Sequence, residues 1–258
     1  MSLHDDIVAY WDRQPCNLLH SDLPIGTREY FEANTARRYH VEPHLMSFAD
    51  FPRWRGARVL EIGCGIGADA EQFVRHGAEY VGVDISGASV DLARKRFACM
   101  DLNGDFQVRD ASKGLADLGQ FDLIWSCGVI HHWPDDRRLI AAAREVARPD
   151  AQLRIMLYAT NSWKRAMIDA GLDQYEAQSE CPYARTYTQD QVRDLLEPHW
   201  TMLEIQQDHC FMYNVSQYRQ GRYVLEPWFA AMPQAMRDAM RKEFGWHLLV
   251  TAGVSNPD

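Results

Sequence analysis

The sequence predicts an α/β protein built on a doubly wound, mostly parallel β-sheet. Between residues 57 and 158, short apolar runs alternate with stretches of helical spacing. The first apolar run leads through a glycine-rich turn, "IGCGIGADA", directly into a helix. Buried apolar strands that alternate with helices are typical of a parallel sheet with helices on both faces.

The elements of this unit follow one another in a regular order. Five strands are predicted, at 57–63, 78–84, 104–110, 121–126 and 151–158. Helices are predicted between them, at 68–76, 87–98 and 135–147. The first 55 residues also have helical spacing, in "HDDIVAYWDRQ" and "TREYFEANTARRYHVEPHL".

The chain beyond residue 158 changes character. A helix is predicted to begin after Thr188, because Thr188 and Gln191 have the spacing of a capping box. Two further strands are predicted, "TMLEIQQDH" and the closing "HLLVTAG". The segments 159–188 and 211–246 are rich in polar, aromatic and methionine residues and resemble a cap more than a sheet.

Composition excludes several classes of function. The net charge of −9 opposes steering toward nucleic acid or anionic membranes. No two of the six cysteines form a C-x-x-C pair, so no metal site or dithiol motif is predicted. The cysteines are expected to be reduced thiols in a cytoplasmic protein, with neither signal peptide nor membrane span.

Acidic residues follow the glycine turn at the ends of the next two strands. In an open parallel sheet, ligands bind outside the carboxyl ends of the strands. Asp84 ends the second strand, where a carboxylate can accept both hydroxyls of a ribose, and Asp110 ends the third. Glu61 lies two residues before Gly63 and is expected to face the same pocket.

Two ligands fit this pattern. Gly63, Gly65 and Ala68 match the dinucleotide fingerprint G-x-G-x-x-G/A, which would indicate an NAD(P)-dependent oxidoreductase. A carboxylate at Glu61 is a poor neighbour for a pyrophosphate and a good one for an ammonium group. Together with Asp110 it favours a ligand that carries amines or a positive charge, and no Tyr-x-x-x-Lys pair follows the fourth strand.

The ordered series "VLEIGCGIGADA", "VGVDIS", "VRDAS" and "FDLIWSCGVIHHWPD" resembles the class I S-adenosylmethionine-dependent methyltransferases. It is most similar to the small-molecule branch that includes ubiquinone-biosynthesis and natural-product enzymes. The resemblance covers residues 57–158. It implies a Rossmann-like sheet of seven strands with the last antiparallel, and methyl transfer to a small-molecule acceptor, with oxygen or nitrogen favoured as the acceptor atom.

The resemblance also implies residue roles. Glu61, Gly63, Cys64, Gly65 and Gly67 would line the methionine part of S-adenosylmethionine. Asp84 would bind the ribose and Ile85 would pack on the adenine, whose edge Asp110 and Ala111 would hold; Cys127 and Gly128 would lie near the methyl-bearing sulfur. One departure is "RPDA" at 148–151, where many relatives have a "KPGG"-like turn.

Candidates for catalysis and acceptor binding lie in less specific sequence. His131 and His132 directly follow the fourth strand and are candidates for a general base, or for residues that orient the loop. His44, His209 and His247 are weaker candidates, each more typical of a structural histidine. Arg38, Tyr39 and Tyr213 are candidate acceptor contacts.

The predicted organisation is a helical cover at 1–55, a cofactor-binding core at 56–158 and a remainder at 159–258 that completes the sheet and forms the cap. All three are expected to build one structural domain. A homodimer fits "EPWFAAMPQAMRDAM" as well as a cap helix does. Two other functions stay open at this point, the oxidoreductase and a non-catalytic module that binds S-adenosylmethionine.

Overall fold

The computed structural model describes residues 2–172, 181–218, 220 and 222–255. Part of the predicted cap, 173–180, lies outside the described residues. The strands are β1 Arg58–Ile62, β2 Glu79–Asp84, β3 Asp105–Val108, β4 Phe121–Cys127, β5 Ala147–Tyr158, β6 Trp200–Asp208 and β7 His247–Val254. The helices before β5 are α1 Leu3–Arg13, α2 Arg28–Val41, α3 His44–Ala49, α4 Ala68–Arg75, α5 Gly87–Met100 and α6 Asp136–Glu145. The later helices are α7 Trp163–Asp169, α8 Gln189–Leu196, α9 Val215–Tyr218, α10 Pro227–Ala230 and α11 Gln234–Phe244.

The described strands form one seven-stranded sheet in the order β3-β2-β1-β4-β5-β7-β6. Neighbours from β3 to β5 are parallel, while β7 runs antiparallel to both β5 and β6. The predicted fold, with its antiparallel last strand, is confirmed. The strand order reverses between β1 and β4, so the carboxyl ends of these two strands border the crevice where such sheets bind ligands.

Several boundaries differ from the sequence prediction, among them the end of β3 at Val108 instead of Asp110 and the end of α6 at Glu145 instead of residue 147. The strand predicted to start at Ala151 starts at Ala147, since Phe121 pairs with Ala147 and the register then shifts before Leu123 pairs with Gln152. The helical stretch predicted to continue through 45 is broken at Pro43, because α2 ends at Val41 and a second helix begins at His44. The capping box that Thr188 and Gln191 were predicted to form is confirmed.

Both faces of the sheet are covered by apolar side chains. One large cluster packs α6 and α8 against β4, β5 and β7, around Phe121, Ile124 and Ile155. A second packs α4 and α5 against the opposite face, around Phe73, Phe97 and Trp125. No helix in the described part of the chain is long and apolar enough to cross a membrane.

A buried arginine joins the N-terminal helices to the glycine turn. Arg96 of α5 is fully buried and donates to the Ile66 carbonyl through Nε at 2.8 Å. It also donates to Glu71 of α4 at 3.0 Å and to Asn34 of α2 at 2.9 Å. One guanidinium therefore fixes the position of α2, α4 and the turn relative to one another.

We predict that Arg96→Met lowers the free energy of unfolding by about 3 kcal/mol or more, because it leaves Glu71 with only the partly exposed Arg75 and leaves the Ile66 carbonyl and the Asn34 side chain without their buried donor. Urea denaturation measures this. Arg94→Met is the matched control, since Arg94 lies on the same helix with its side chain 53% exposed, and should cost less than ~1 kcal/mol. Equal losses for the two variants would contradict the structural role of Arg96.

Candidate cofactor and acceptor site

The main cleft of the protein opens at the carboxyl ends of β1, β2, β3 and β4. Its floor is the glycine turn between β1 and α4, and its walls are the residues that directly follow the other three strands. The cleft includes Glu61, Gly63, Cys64, Gly65, Asp84, Ile85, Asp110, Ala111, Cys127, Gly128, His132, Tyr158 and His247.

The glycine turn needs its glycines for two different reasons. Gly63, Gly65 and Gly67 all have positive φ, a region that other residues rarely adopt. A Cβ on Gly63 would lie 2.2 Å from a methyl group of Val129, so this position is closed by packing. A Cβ on Gly65 would meet nothing within 4 Å, so the backbone there is open to the cleft and a ligand can approach it.

Asp84 fixes the turn from the end of the neighbouring strand. Its Oδ2 accepts from the Gly65 amide at 2.8 Å and its Oδ1 accepts from the Ser86 amide at 2.9 Å. Burial raises the pKa of Asp84. The two backbone hydrogen bonds oppose this shift, because they stabilise the charged carboxylate. Each carboxylate oxygen has a second lone pair, so Asp84 can still accept from ligand hydroxyls.

Glu61 lies at the base of the cleft with a single described hydrogen-bond partner. Its carboxylate accepts from the Tyr80 hydroxyl at 2.5 Å. Burial is the main cause that raises the pKa of Glu61 well above its ordinary value, and the negative charge of the nearby Asp69 raises it further. A cationic group beside Glu61 would relieve this penalty, so a ligand ammonium suits this residue better than a phosphate does.

Asp110 is held in place by its own loop and by the N-terminal helix. Its Oδ1 accepts from the Ser112 amide and hydroxyl at 3.0 and 2.6 Å, and its Oδ2 lies 3.0 Å from Nε2 of His4. Burial opposes ionisation, but hydrogen bonds from Ser112 and His4 outweigh it and lower the pKa of Asp110. Asp110 is therefore a carboxylate at the mouth of the cleft.

Arg38 reaches the cleft from α2 and is paired with protein carboxylates. Its Nε and Nη2 donate to Asp69 at 3.0 and 2.8 Å, and its Nη1 donates to Glu42 at 3.4 Å. Burial disfavours the charged guanidinium, but Asp69, Cys127 and Glu42 together raise the pKa of Arg38. Its charge is thus largely matched by Asp69 and Glu42, which limits it as a clamp for a ligand carboxylate.

The N-terminal helix α1 covers one side of the cleft. Ile7 and Trp11 are among the lining residues, and Asp12 accepts from the Ala88 amide at 2.9 Å and from the Ser86 hydroxyl at 3.2 Å. Because Ser86 directly precedes α5, these contacts fix α1 next to the end of β2.

The two adjacent histidines after β4 have different surroundings. His131 is fully buried, stacks on Tyr158 with ring centroids 3.6 Å apart, and is not among the residues that line the cleft. His132 does line the cleft, and its Nδ1 lies 3.0 Å from the Tyr183 carbonyl. Since a carbonyl only accepts, Nδ1 carries the proton and Nε2 keeps its lone pair.

The electrostatics of His132 favour the neutral form. Burial lowers its pKa to about 4, although the bond to Tyr183 opposes the shift. Its buried Nε2 has no hydrogen-bond partner among the described residues. Of the two candidate bases, only His132 thus presents an unprotonated nitrogen at the cleft.

A second, smaller cavity adjoins the main cleft, and we call it the aromatic cavity. Tyr158, Glu42 and His247 line both spaces. The remaining wall is mostly aromatic and also holds one buried lysine: it includes Lys164, Phe211, Tyr213, Tyr218, Tyr223 and Trp246. The Lys164 ammonium lies 5.7 to 5.9 Å from the ring centres of Tyr213, Tyr218 and Trp246, a cation–π distance.

The structure brings most of the predicted site residues together. Ten of the eleven predicted cofactor contacts line the main cleft; Gly67 does not, because it lies at the start of α4 behind the turn. Arg38 lines the cleft, Tyr213 lines the aromatic cavity, and Tyr39 lines neither but donates to Asp69 at 2.7 Å.

Several lining residues were missed by the sequence reasoning. Asp69, Tyr158 and Met156 line the cleft, although none of them was assigned a role there from the sequence. Asp69 follows the glycine turn in the first turn of α4, where acidic residues are common for capping reasons alone. Its pairing with Arg38 depends on a contact across 31 residues that no local pattern reveals.

Comparisons with known proteins agree with this geometry. Residues 59–150 match the family described as "Methyltransferase domain". The chain is 32% identical over 99 residues to a ubiquinone biosynthesis O-methyltransferase of Coxiella burnetii, covering 38% of this chain and 42% of that protein. It is 35% identical over 139 residues to the protein of that name from Mesorhizobium japonicum, covering 52% and 54%.

Residues 59–150, which include the glycine turn and the ends of β2, β3 and β4, thus form a methyltransferase domain. The chain spans about half the length of the curated relatives it matches. The solved structure of magnesium protoporphyrin IX methyltransferase from Synechocystis PCC 6803 with bound SAH has a TM-score of 0.64 at 14% identity, covering 99% of this chain and 100% of that one. At that identity, this likeness shows a shared fold.

Proposed function

We propose that this protein transfers the methyl group of S-adenosylmethionine to a small-molecule acceptor. The proposal rests on the open backbone at Gly65, which follows β1 where the strand order of the sheet reverses. The carboxylate of Asp84, at the end of the neighbouring β2, fixes this backbone by accepting from the Gly65 amide. An open glycine beside a ribose-binding carboxylate fits an adenosine ligand, and Glu61 at the base of the same cleft fits an amino group rather than a pyrophosphate.

The cleft residues divide the cofactor between them in this proposal. Glu61, Gly63, Cys64 and Gly65 hold the methionine part, with Gly67 shaping the turn from behind. Asp84 accepts from the ribose hydroxyls. The adenine lies between Ile85 and the Asp110–Ala111 edge, and the reactive end lies toward Cys127 and Gly128. When bound, the cofactor supplies an electrophilic methyl group on a sulfonium sulfur.

The acceptor binds on the far side of the reactive end, in the aromatic cavity. That cavity shares Tyr158 with the main cleft, so a molecule held there can approach the methyl group in line. Tyr213 contacts the acceptor directly, whereas Arg38 and Tyr39 act on the site through Asp69. The two curated relatives described above are named O-methyltransferases, which favours an oxygen acceptor over nitrogen.

Two other functions make different demands on the same cleft. A nicotinamide-dependent oxidoreductase would need a pyrophosphate beside the carboxylate of Glu61, and a non-catalytic module would bind S-adenosylmethionine without turning it over. Melting temperatures with S-adenosylmethionine, S-adenosylhomocysteine and NAD added separately distinguish a methyltransferase from an oxidoreductase, because a specific ligand stabilises the folded state by mass action. Stabilisation by NAD alone would contradict the proposal.

The setting of the reaction follows from charge and composition. A net charge of −9 disfavours a nucleic-acid substrate, and six cysteines without a C-x-x-C pair are in keeping with a reducing cytoplasm. A helical cover at 1–55 and a cap at 159–188 and 211–246 around one structural domain remain our proposal, as does a homodimer.

We predict that Asp84→Ala raises the dissociation constant for S-adenosylmethionine at least tenfold, about 1.4 kcal/mol, because it removes the acceptor for the ribose hydroxyls. Isothermal titration calorimetry measures this. Asp91→Ala is the control for the lost charge, since Asp91 is exposed on α5, and it should bind like the wild type. Unchanged affinity in a folded Asp84→Ala protein would remove Asp84 from the site.

For catalysis, we propose that His132 acts as the general base, or orients the acceptor, through its Nε2. His132→Gln should then lower the turnover number at least ~100-fold on an acceptor found by metabolite screening, a typical loss for a general base. Affinity for S-adenosylmethionine should stay unchanged. Wild-type turnover should fall as the pH drops through about 4, where His132 becomes protonated. Equal turnover in the variant would make His132 structural.

A further inference from the structure

Three histidines far apart in sequence meet at the wall between the main cleft and the aromatic cavity. His44 is the first residue of α3, His209 directly follows β6, and His247 begins β7. Each offers a ring nitrogen, and the three nitrogens lie within 4.8 Å of one another. His44 Nε2 and His247 Nδ1 form a hydrogen bond at 2.9 Å, so one of them carries a proton that must move to the other nitrogen of its ring when a metal ion binds.

The backbone fixes two of these histidines firmly. His247 is paired with Asp208 across the antiparallel β6–β7 ladder, so His209 lies one residue beyond that pair. The His209 carbonyl accepts from the Trp246 amide and from Nε1 of Trp163, both at 2.8 Å. His209 also adopts a left-handed φ of 72°, which is uncommon for a residue other than glycine and here directs the chain out of the strand.

The three imidazole rings lie close together. Their ring centres are 4.4 to 5.3 Å apart, which brings three nitrogen donors into one small volume.

A carboxylate lies just beyond hydrogen-bond distance of the ring nitrogen through which metal-binding histidines are commonly oriented. Glu42 Oε1 lies 3.6 Å from His247 Nε2, the ring nitrogen opposite the one that faces His44. Metal-ligating histidines usually donate their second N–H to such a carboxylate, which fixes the tautomer and the ring orientation. Glu42 is itself bound by Arg38 at 3.4 Å.

We propose that His44, His209 and His247 bind a divalent transition-metal ion, with one ring nitrogen each, and that Glu42 orients His247 behind it. Three imidazoles with an open fourth position form a typical donor set for Zn²⁺, and Co²⁺ binds the same set. No metal site was predicted from the sequence, because these three residues are spread over 203 positions and share no local ligand spacing.

The location suggests what the open position is for, and this step rests on the proposed methyl transfer. His247 lines both the main cleft and the aromatic cavity, and His209 lines the aromatic cavity. A metal ion there would hold an oxygen- or sulfur-bearing acceptor where the two spaces meet. The acceptors of this enzyme would accordingly carry a hydroxyl or thiol that can coordinate a metal ion.

The test uses the untagged full-length protein after treatment with a chelator. We expect one Co²⁺ or Zn²⁺ ion per chain. Bound Co²⁺ should give the visible absorption that is typical of a four-coordinate site. His44→Gln and His247→Gln should each weaken binding at least ~100-fold, and Glu42→Gln about tenfold, the range seen when supporting partners of ligands are lost. His40→Gln, which removes an exposed histidine near the end of α2, should bind the metal ion like the wild type.

Absence of stoichiometric metal binding by the wild-type protein would overturn the proposal, whatever the variants do. So would wild-type affinity in both His44→Gln and His247→Gln, which would assign the three imidazoles to packing. Circular dichroism shows whether each variant is folded. Calorimetry with S-adenosylmethionine on the same samples separates the two proposals, because metal binding without cofactor binding would contradict only the methyl transfer.

Discussion

The ion pair between Arg38 and Asp69 is the interaction on which the site depends. Asp69 lies in the first turn of α4, directly behind the glycine turn, and also accepts from Tyr39 at 2.7 Å and from Nε1 of Trp125 at 3.1 Å. These contacts join the N-terminal helix α2, the helix after β1 and the strand β4. A buried pair is costly unless its hydrogen bonds are well satisfied, and here four donors converge on one carboxylate. Without the pair, α2 would lose one of the contacts that anchor it beside the cleft.

The same ion pair determines which charges in the cleft are already matched within the protein. Arg38 is matched by Asp69 and Glu42, whereas Glu61 has the Tyr80 hydroxyl as its described hydrogen-bond partner. The base of the cleft therefore favours a cationic ligand and disfavours a phosphate, although the glycine turn alone would suit either one. In the function that we propose, the carboxylate of Glu61, two residues before the first glycine, distinguishes between two cofactors that share one fold.

Local patterns predicted the core of the molecule because its elements depend on local physics. Strand alternation, the capping box at Thr188 and the acids at the ends of β2 and β3 are readable within a few residues. The early start of β5 depends on a register shift against β4, which no single segment records. The meeting of His44 with His247, and of Arg38 with Asp69, requires the tertiary fold, and the sequence shows only isolated histidines and a helical arginine.

A crystal structure of the protein with S-adenosylhomocysteine tests most directly whether the main cleft is the cofactor site. We expect the ribose hydroxyls on the carboxylate of Asp84, the amino group beside Glu61 and the sulfur facing the wall shared with the aromatic cavity. A ligand bound elsewhere, or one whose ribose does not contact Asp84, would contradict the assignment of the main cleft as the cofactor site.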